Sequence, residues 1–256
     1  MQRRFLVSQL IATAFMTCTL GACAHNNAED VMDEANEPVV DEDAPGYILV
    51  QIDAIEDPDT FFTDYANRAG PTLVKHGFVG MVASAEPSRF EGEAPDGWTV
   101  MLQFPSVAEA QAWYDDPEYA AARPFRIDSV GQTDMVLMQG QVDAGDDLSR
   151  FGGYLLEQSE RVETTGAFED YLRASEASMS GFGGAVLVEG EPVRVLEGAW
   201  PDHSTRVVGF PSTDAIERWY GATESAALHD DRNGAAKGQS LAGFARFCVP
   251  ELGDCG

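Results

Sequence analysis

The segment Phe104-Pro105-Ser106, followed by Trp113-Tyr114, decides the fold because the chain contains it twice. It returns as Phe210-Pro211-Ser212 and Trp219-Tyr220, at a constant offset of 106 residues. Further pairs at the same offset are Phe62 and Phe168, Tyr65 and Tyr171, Gly77 and Gly183, Glu91-Gly92 and Glu197-Gly198, Glu118 and Glu224, and Arg126 and Arg232. Such a match in register does not arise by chance, so the sequence predicts a duplicated domain.

Both copies predict the same order of elements. In copy one these are a strand over 47–52 (154–159 in copy two), a helix over 59–76, a hairpin of strands over 78–90 and 98–104, a helix that begins at Ser106, and a strand over 134–140. Asp57 or Asp59 is suited to cap the first helix, and Pro71 predicts a kink in it. Ser106 and Glu109 form a capping box for the second. The order β-α-β-β-α-β is that of an α+β, ferredoxin-like unit.

These residues also resemble a known family. The motifs Leu102-Gln103-Phe104-Pro105-Ser106, Ala110-Gln111-Ala112-Trp113-Tyr114, Asp116-Pro117-Glu118-Tyr119 and Arg126 look like those of the DUF1330 family of dimeric α/β-barrel proteins. Copy two resembles it through Leu196-Glu197-Gly198, Trp200-Pro201, Phe210-Pro211-Ser212, Trp219-Tyr220 and Arg232. Because the role of the family is not established, the resemblance implies a fold rather than a function.

The resemblance implies that the two sheets associate within one chain. We therefore expect two ferredoxin-like repeats forming an eight-stranded intramolecular barrel, with a cavity between each sheet and its helices, and a monomer that is an internal pseudo-dimer. Family members often have Arg at the start of the third strand, where this chain has Trp98 and Ser204. Tyr119 of copy one becomes Ser225 in copy two. These unequal copies indicate that a surviving site lies in one half only.

The N-terminus predicts export. Two arginines precede an uncharged, mostly apolar run over 5–20, which is too short for a comfortable membrane span and is typical of a signal peptide. It ends in Leu20-Gly21-Ala22-Cys23, which resembles a bacterial lipobox. We expect a signal peptide over 1–22 and a lipidated Cys23 that anchors the protein to a membrane of the cell envelope, facing the periplasm or the cell surface. The alternative is ordinary secretory cleavage near Ala22 or Ala24.

Composition divides the rest of the chain. Residues 23–46 contain eight acids and no Lys or Arg, which predicts an extended tether. Repeat one over 47–140 and repeat two over 154–247 follow, joined by a linker over 141–153. After export, Cys248 and Cys255 of the tail over 248–256 lie in a compartment where disulfides persist. They are predicted to form a disulfide, with free thiols or a metal pair as the alternative.

Charge and missing motifs exclude several classes of protein. The chain has 43 acids against 16 bases and a formal net charge of -27, which repels nucleic acid. This acidity indicates a solvated surface or, alternatively, a site for cationic ligands or Ca²⁺. There is no HExxH, no CxxC and no glycine loop that opens a helix. We therefore expect no cofactor and no metal site.

Three histidine positions are weak candidates for chemistry. His76 ends a helix, where it either meets the helix dipole or acts in catalysis. His203 lies in the loop Trp200-Pro201-Asp202-His203, close enough to Glu197 for an acid/base pair, or is a polar loop residue. His229-Asp230-Asp231 cannot converge on a metal from one helix and is predicted to form a solvated face.

A stronger pattern pairs acids with arginines. Glu91 and Glu197 hold equivalent places, and Arg126 and Arg232 are their expected partners, with Glu118 and Glu224 as further carboxylates. Such an arginine either braces the fold or binds a small carboxylate. The aromatic residues Trp113, Tyr114, Trp219 and Tyr220 either line a ligand site or form the core between helices and sheet.

Three functions remain open. The first is a membrane-tethered envelope protein that holds a small, partly apolar molecule in the barrel. The second is a cofactor-free enzyme, by fold analogy with monooxygenases and isomerases, in which a His or Glu is the acid/base. The third is a structural envelope protein with a filled interior.

Overall fold

The computed structural model describes residues 40–41, 44–85, 87–92, 97–142, 148–200 and 204–245. The predicted signal peptide, Cys23, His203, Cys248 and Cys255 lie outside the described residues. Of the described helices, none is both long and apolar enough to cross a bilayer.

Both repeats contain five strands and three helical segments. In repeat one these are β1 (Gly46–Ile52), a π-helix (Thr60–Tyr65) continuing into α1 (Ala66–Lys75), β2 (Gly80–Ser84), β3 (Ser88–Glu91), β4 (Trp98–Phe104), α2 (Val107–Asp115), α3 (Pro117–Ile127) and β5 (Thr133–Gln139). A 3-10 turn (Leu148–Arg150) precedes repeat two, whose elements are β6 (Gly153–Val162), α4 (Thr165–Ser180), β7 (Ala185–Gly190), β8 (Arg194–Glu197), β9 (Ser204–Phe210), α5 (Thr213–Tyr220), α6 (Thr223–Ala235) and β10 (Ala236–Ala245).

The two repeats exchange a strand. The sheets have the orders β2-β4-β1-β5-β8 and β3-β10-β6-β9-β7, so β3 of repeat one joins the second sheet and β8 of repeat two joins the first. The predicted hairpin over 78–90 and 98–104 is therefore correct only for β2, which pairs with β4. The exchanged strand covers the outer edge of β5 or β10, which would otherwise expose unpaired backbone groups.

The two sheets face each other across a shared core. This core contains the alternate residues of the central strands that point away from the helices, such as Leu49, Met101, Leu156 and Val207. Gln51 donates a hydrogen bond of 3.0 Å to its equivalent, Gln158. At one seam the backbone N–H of Gln141 donates to the carbonyl of Leu187 at 2.8 Å. The opposite face of each sheet packs on helices through separate cores.

The first helix differs between the repeats. Tyr47 and Tyr154 are 107 residues apart, whereas Tyr65 and Tyr171 are 106 apart, so repeat one has one extra residue between β1 and this helix. The π-helix lies in that segment, and a π-helix accommodates an inserted residue by lengthening its hydrogen-bonded ring. Of the two predicted caps, Asp57 is correct: its carboxylate accepts from the backbone N–H of Thr60 at 3.1 Å, while Asp59 makes no cap hydrogen bond.

The predicted second helix is two helices. Ser106 caps α2 by accepting from the backbone N–H of Glu109 at 3.2 Å, as expected. Asp116 then ends α2 in an extended conformation and caps α3, with Pro117 in its first turn. A proline disfavours helix at the residue before it and suits the first turn of a new helix, which explains the break.

Candidate functional site

The strand exchange places the paired glutamates. Both oxygens of Glu197, at the end of β8, lie 2.6 Å from Nη2 of Arg126 in repeat one. Oε2 of Glu91, at the end of β3, accepts from Nη2 of Arg232 in repeat two. Each arginine is therefore paired with a carboxylate from the other repeat.

Tyrosines complete these pairs. The hydroxyl of Tyr114 donates to Glu197 at 3.1 Å, and that of Tyr220 donates to Glu91 at 3.2 Å. The further carboxylates expected from the sequence are not part of the pairs, since Glu118 is 69% exposed beside Lys75 and Glu224 is also exposed. The geometry is that of a brace between repeats.

Repeat two contains charge where repeat one is apolar. On the helix-facing side of the first sheet, Val50 on β1 is paired with Val100 on β4, and Val100 with Ala83 on β2. The equivalent row in the second sheet is Glu157, Arg206 and Glu189 on β6, β9 and β7. Glu157 is 3% exposed and Arg206 is 1% exposed. We call Glu157, Arg206 and Glu189 the polar row.

Helix α4 supplies the partners of Arg206. Its Nη1 donates to the hydroxyl of Ser175 at 2.7 Å, and its Nη2 donates to the carbonyl of Leu172 at 3.2 Å. Its Nε lies 2.9 Å from Oε2 of Glu189. In repeat one the position of Ser175 is Ala69, so both the charge and its helix partner are specific to repeat two.

Glu157 is held between helices α4 and α6. Its Oε1 accepts from the hydroxyl of Tyr171 at 2.6 Å and from Nη1 of Arg232 at 3.4 Å. Its Oε2 has no hydrogen-bond partner among the described residues. Burial, and then the Glu157 carboxylate, raise the pKa of Tyr171 well above 10.0. This phenol is therefore protonated at neutral pH and acts as a donor.

The next helix-facing pair along these strands is also apolar in repeat one and polar in repeat two. Ile52 and Trp98 face each other in repeat one, and Ser159 and Ser204 take their places in repeat two. Both serines are buried, and the hydroxyl of Ser159 has no hydrogen-bond partner among the described residues. A second polar layer therefore adjoins the polar row.

Repeat one shows that this fold does not need the charges. Replacing a buried ion pair by packed apolar residues is often neutral or stabilising by about 1–4 kcal/mol, because both charges lose their hydration. Val50 and Val100 are such a replacement, present in the same chain and the same register. Buried ionisable clusters without a structural need are typical of functional sites.

A cleft adjoins the outer end of the polar row. It has a volume of about 370 Å³ and lies where the end of β5 meets the end of β7. Its lining includes Asp41, Gln139, Gln141, Glu189, Glu191 and Val193. Burial raises the pKa of Glu189 above 4.5, an effect that Arg206 opposes. Glu189 thus belongs both to the cleft and to the polar row behind it.

The histidines lie away from the polar row or at its margin. His76 contacts Asp116 at 2.8 Å and Glu109 at 3.4 Å, which ties the end of α1 to the junction of α2 and α3. Asp230 and Asp231 are exposed as predicted, but the prediction was wrong for His229, whose side chain is 12% exposed. Its ring packs 4.6 Å from that of Tyr220, and burial lowers its pKa below 6.5.

The candidate aromatics are mostly core residues. Trp113 is 1% exposed and donates to the hydroxyl of Thr72 at 2.9 Å, and Trp219, which is fully buried, donates to Ser178 at 3.2 Å. Tyr119 is fully buried, with its ring 4.0 Å from that of Trp113. Trp113 and Tyr119 fill the space between helices and sheet in repeat one, and Trp219 packs in the corresponding core of repeat two, where we expected a cavity in each.

Sequence reasoning missed the residues of the polar row. Glu157 and Arg206 occupy alternate positions of strands, where charged residues usually face solvent. The signal was the comparison of the copies strand by strand, which sets Glu157 against Val50 and Arg206 against Val100. Within the described part of the chain, no group of three or more His, Cys, Asp or Glu residues is placed to hold a metal ion.

Two ferredoxin-like repeats with facing sheets define an α/β barrel of the dimeric type, built within one chain. The chain belongs to the family described as "Domain of unknown function (DUF1330)", whose model matches residues 45–141 and 152–242. Comparison with curated protein sequences found no match.

Solved structures similar to this chain have low sequence identity to it. A "putative monooxygenase" from Fusobacterium nucleatum subsp. nucleatum has a TM-score of 0.52 at 9% identity, covering 80% of this chain and 93% of that protein. An "anthrone oxidase-like protein" has a TM-score of 0.49 at 11% identity, covering 82% of this chain and 94% of its own. The first of these likenesses supports the fold, and neither indicates a reaction.

Proposed function

We propose that this chain is a small-molecule-binding protein whose ligand site is the polar interior of repeat two, between its sheet and helices α4 and α6. One observation carries the proposal: Glu157 and Arg206 are buried at positions where the same fold, in repeat one, has Val50 and Val100. We further propose that the protein acts in the cell envelope, anchored through Cys23, as the N-terminal sequence predicts.

The exchange of strands suits a rigid binding site. Glu91 ties α6 to a strand from repeat one, and Tyr171 ties α4 to the sheet through Glu157. A site whose side chains are fixed by such contacts loses less conformational entropy when a ligand binds.

Native mass spectrometry of the full-length protein, purified from its own envelope, tests the binding function. We expect an additional mass corresponding to a retained small molecule. The control is the variant Glu157→Val/Ser175→Ala/Glu189→Ala/Arg206→Val, which gives repeat two the residues of repeat one and is called the apolar-row variant. The apolar-row variant should lack the additional mass. A ligand retained equally by the variant would place binding elsewhere and refute the proposed site.

Anchoring has a separate test. Fractionation of cells should find the native protein with membranes and a Cys23→Ser variant in the soluble fraction. A Cys23→Ser variant that remains with membranes would contradict lipid anchoring through this residue.

A cofactor-free enzyme is the second candidate, and the contact between Tyr171 and Glu157 favours it. A protonated phenol 2.6 Å from a buried carboxylate is an arrangement that can move a proton to or from a bound substrate. For an enzyme, Tyr171→Phe would abolish turnover of the retained molecule while leaving its binding within a few fold. Equal conversion rates in both proteins would exclude this role for Tyr171.

A further inference from the structure

We propose that the site in repeat two takes a cationic small molecule, an amine whose ammonium group donates to Glu157. This inference rests on the proposed function and goes beyond it by naming the chemical class of the ligand. It follows from the charges, the unfilled hydrogen-bonding positions and the cleft that adjoins the polar row.

The charges of the site do not balance. Among the described residues, two guanidinium groups face three carboxylates, and each arginine has its own glutamate at the margin of the site: Glu189 for Arg206 and Glu91, which also contacts His229, for Arg232. Glu157 lies between these two ion pairs as the third carboxylate. It is 3% exposed, so solvent does little to stabilise its charge. A positive charge on a ligand would offset the charge of Glu157.

The acceptors on β6 that remain open require a donor. An ionised carboxylate only accepts, and Oε2 of Glu157 is buried without a partner among the described residues. The hydroxyl of Ser159 is also buried without a partner, at the next helix-facing position of the same strand, about 7 Å away by the rise of a strand. An ammonium group has three donors and no acceptor, which matches these atoms.

An anionic ligand fits the site less well. The Nη groups of Arg206 already donate to Ser175 and Leu172, and its Nε faces Glu189. A ligand carboxylate would compete for these contacts while lying close to Glu157 in a medium that screens charge poorly. The arginines therefore serve to fix the glutamates rather than to receive an anion.

The cleft also favours a cation. Three acids, Asp41, Glu189 and Glu191, line it, and its lining includes no lysine or arginine among the described residues. The chain as a whole has a net charge of -27, which raises the local concentration of small cations. A cationic molecule that enters this cleft reaches Glu189, the outer member of the polar row.

Three probes of one shape but different charge test the inference. Isothermal titration calorimetry at 150 mM NaCl and pH 7.5 would compare 2-phenylethylammonium, 3-phenylpropionate and 2-phenylethanol on the full-length protein. We expect the ammonium compound to bind at least about tenfold more tightly than the other two, because a hydrogen bond to a buried charge is worth about 1.5–3 kcal/mol.

Matched variants locate the charge that matters. Glu157→Gln keeps the size and an acceptor for Tyr171 but removes the charge, and should weaken binding of the ammonium probe by about tenfold or more. The matched control Val50→Gln places the same side chain at the equivalent position of repeat one and should leave the affinity unchanged. Circular dichroism and thermal melting of each variant check that it is folded.

The outcomes separate this inference from the proposed function. If the carboxylate or the alcohol binds most tightly and the apolar-row variant abolishes that binding, the cationic class is refuted and the site stands. If the ammonium probe binds both native protein and the apolar-row variant equally, the site itself is refuted. If no probe binds, the cationic class is refuted, while a ligand retained in native mass spectrometry still supports the proposed function.

Discussion

The two repeats share one fold but differ in what lies between their sheets and helices. Repeat one packs Val50, Val100 and Ala83 in a row across its sheet, and repeat two packs Glu157, Arg206 and Glu189 in the same row. Repeat one is in effect an internal control, since it shows what the fold requires without the charges. In the proposed function, the charges of repeat two serve a ligand rather than folding.

The largest predicted effect comes from breaking the polar row at its centre. Arg206→Val alone removes the ion-pair partner of Glu189 and the cross-strand guanidinium beside the buried Glu157, and should lower the free energy of unfolding by about 3–5 kcal/mol. The matched change in repeat one, Val100→Ala, deletes only apolar atoms and should cost about 1–3 kcal/mol. Urea denaturation followed by circular dichroism measures both. A loss below 1 kcal/mol for Arg206→Val would show that the buried charges are not coupled.

Loss of the glutamate should lower the free energy of unfolding by different amounts in the two ion pairs between the repeats. Glu197→Ala leaves Arg126, which is 2% exposed, without a carboxylate and should cost about 3 kcal/mol. Glu91→Ala leaves Arg232 its contact with Glu157 and should cost about 1–2 kcal/mol. Equal losses in chemical denaturation would contradict the view that Glu157 compensates Arg232.

A smaller loss of stability is expected when the hydrogen bond to the buried tryptophan of either repeat is removed. Thr72→Val removes the acceptor of the buried indole N–H of Trp113 and should cost about 1–2 kcal/mol. Ser178→Ala does the same to Trp219, whose bond is longer and less buried, and should cost less. Thermal melting of the two variants side by side gives the order, and a larger loss for Ser178→Ala would reverse it.

The smallest predicted effect depends on pH. Lys75, then His76 and the backbone N–H of Glu118, hold the pKa of Asp116 well below its ordinary value of 3.8. A carboxyl whose pKa is lower in the folded state stabilises the protein above its unfolded pKa and loses this contribution as the pH falls. Asp116→Asn, which keeps a capping side chain, should therefore be less stable than the native protein at pH 7.

The difference should close as the pH falls through 4 and below. The equivalent position in repeat two is Ala222, which makes no side-chain cap, so Ala222→Asn is the matched control without a titrating group. Its effect should not vary with pH in this range. A stability difference for Asp116→Asn that stays constant down to pH 2 would contradict the proposed role of the ion pair.

Much of the fold could be predicted from the sequence. The offset between Phe104-Pro105-Ser106 and Phe210-Pro211-Ser212 indicated the duplication, and the capping pattern at Ser106 marked the start of α2 correctly. The exchange of β3 and β8 could not be predicted, because alternation in a four-residue strand shows which face is buried but not which strand is its partner.

The candidate site was predictable only in part. Arg126, Arg232, Glu91 and Glu197 stood out because they recur at equivalent places. Glu157 and Arg206 do not recur, and a charged residue in a strand is interpreted as solvent-facing until the position of the helices is known. The signal for Glu157 and Arg206 is the difference between the copies, because Val50 and Val100 stand at the equivalent positions.

The stability of the apolar-row variant tests the central claim most directly. We predict that replacing Glu157, Ser175, Glu189 and Arg206 by the residues of repeat one leaves the free energy of unfolding unchanged or raises it by about 1–4 kcal/mol, while the retained ligand is lost. A variant that unfolds 3 kcal/mol or more below the native protein would show that repeat two needs its buried charges to fold, and would contradict the account.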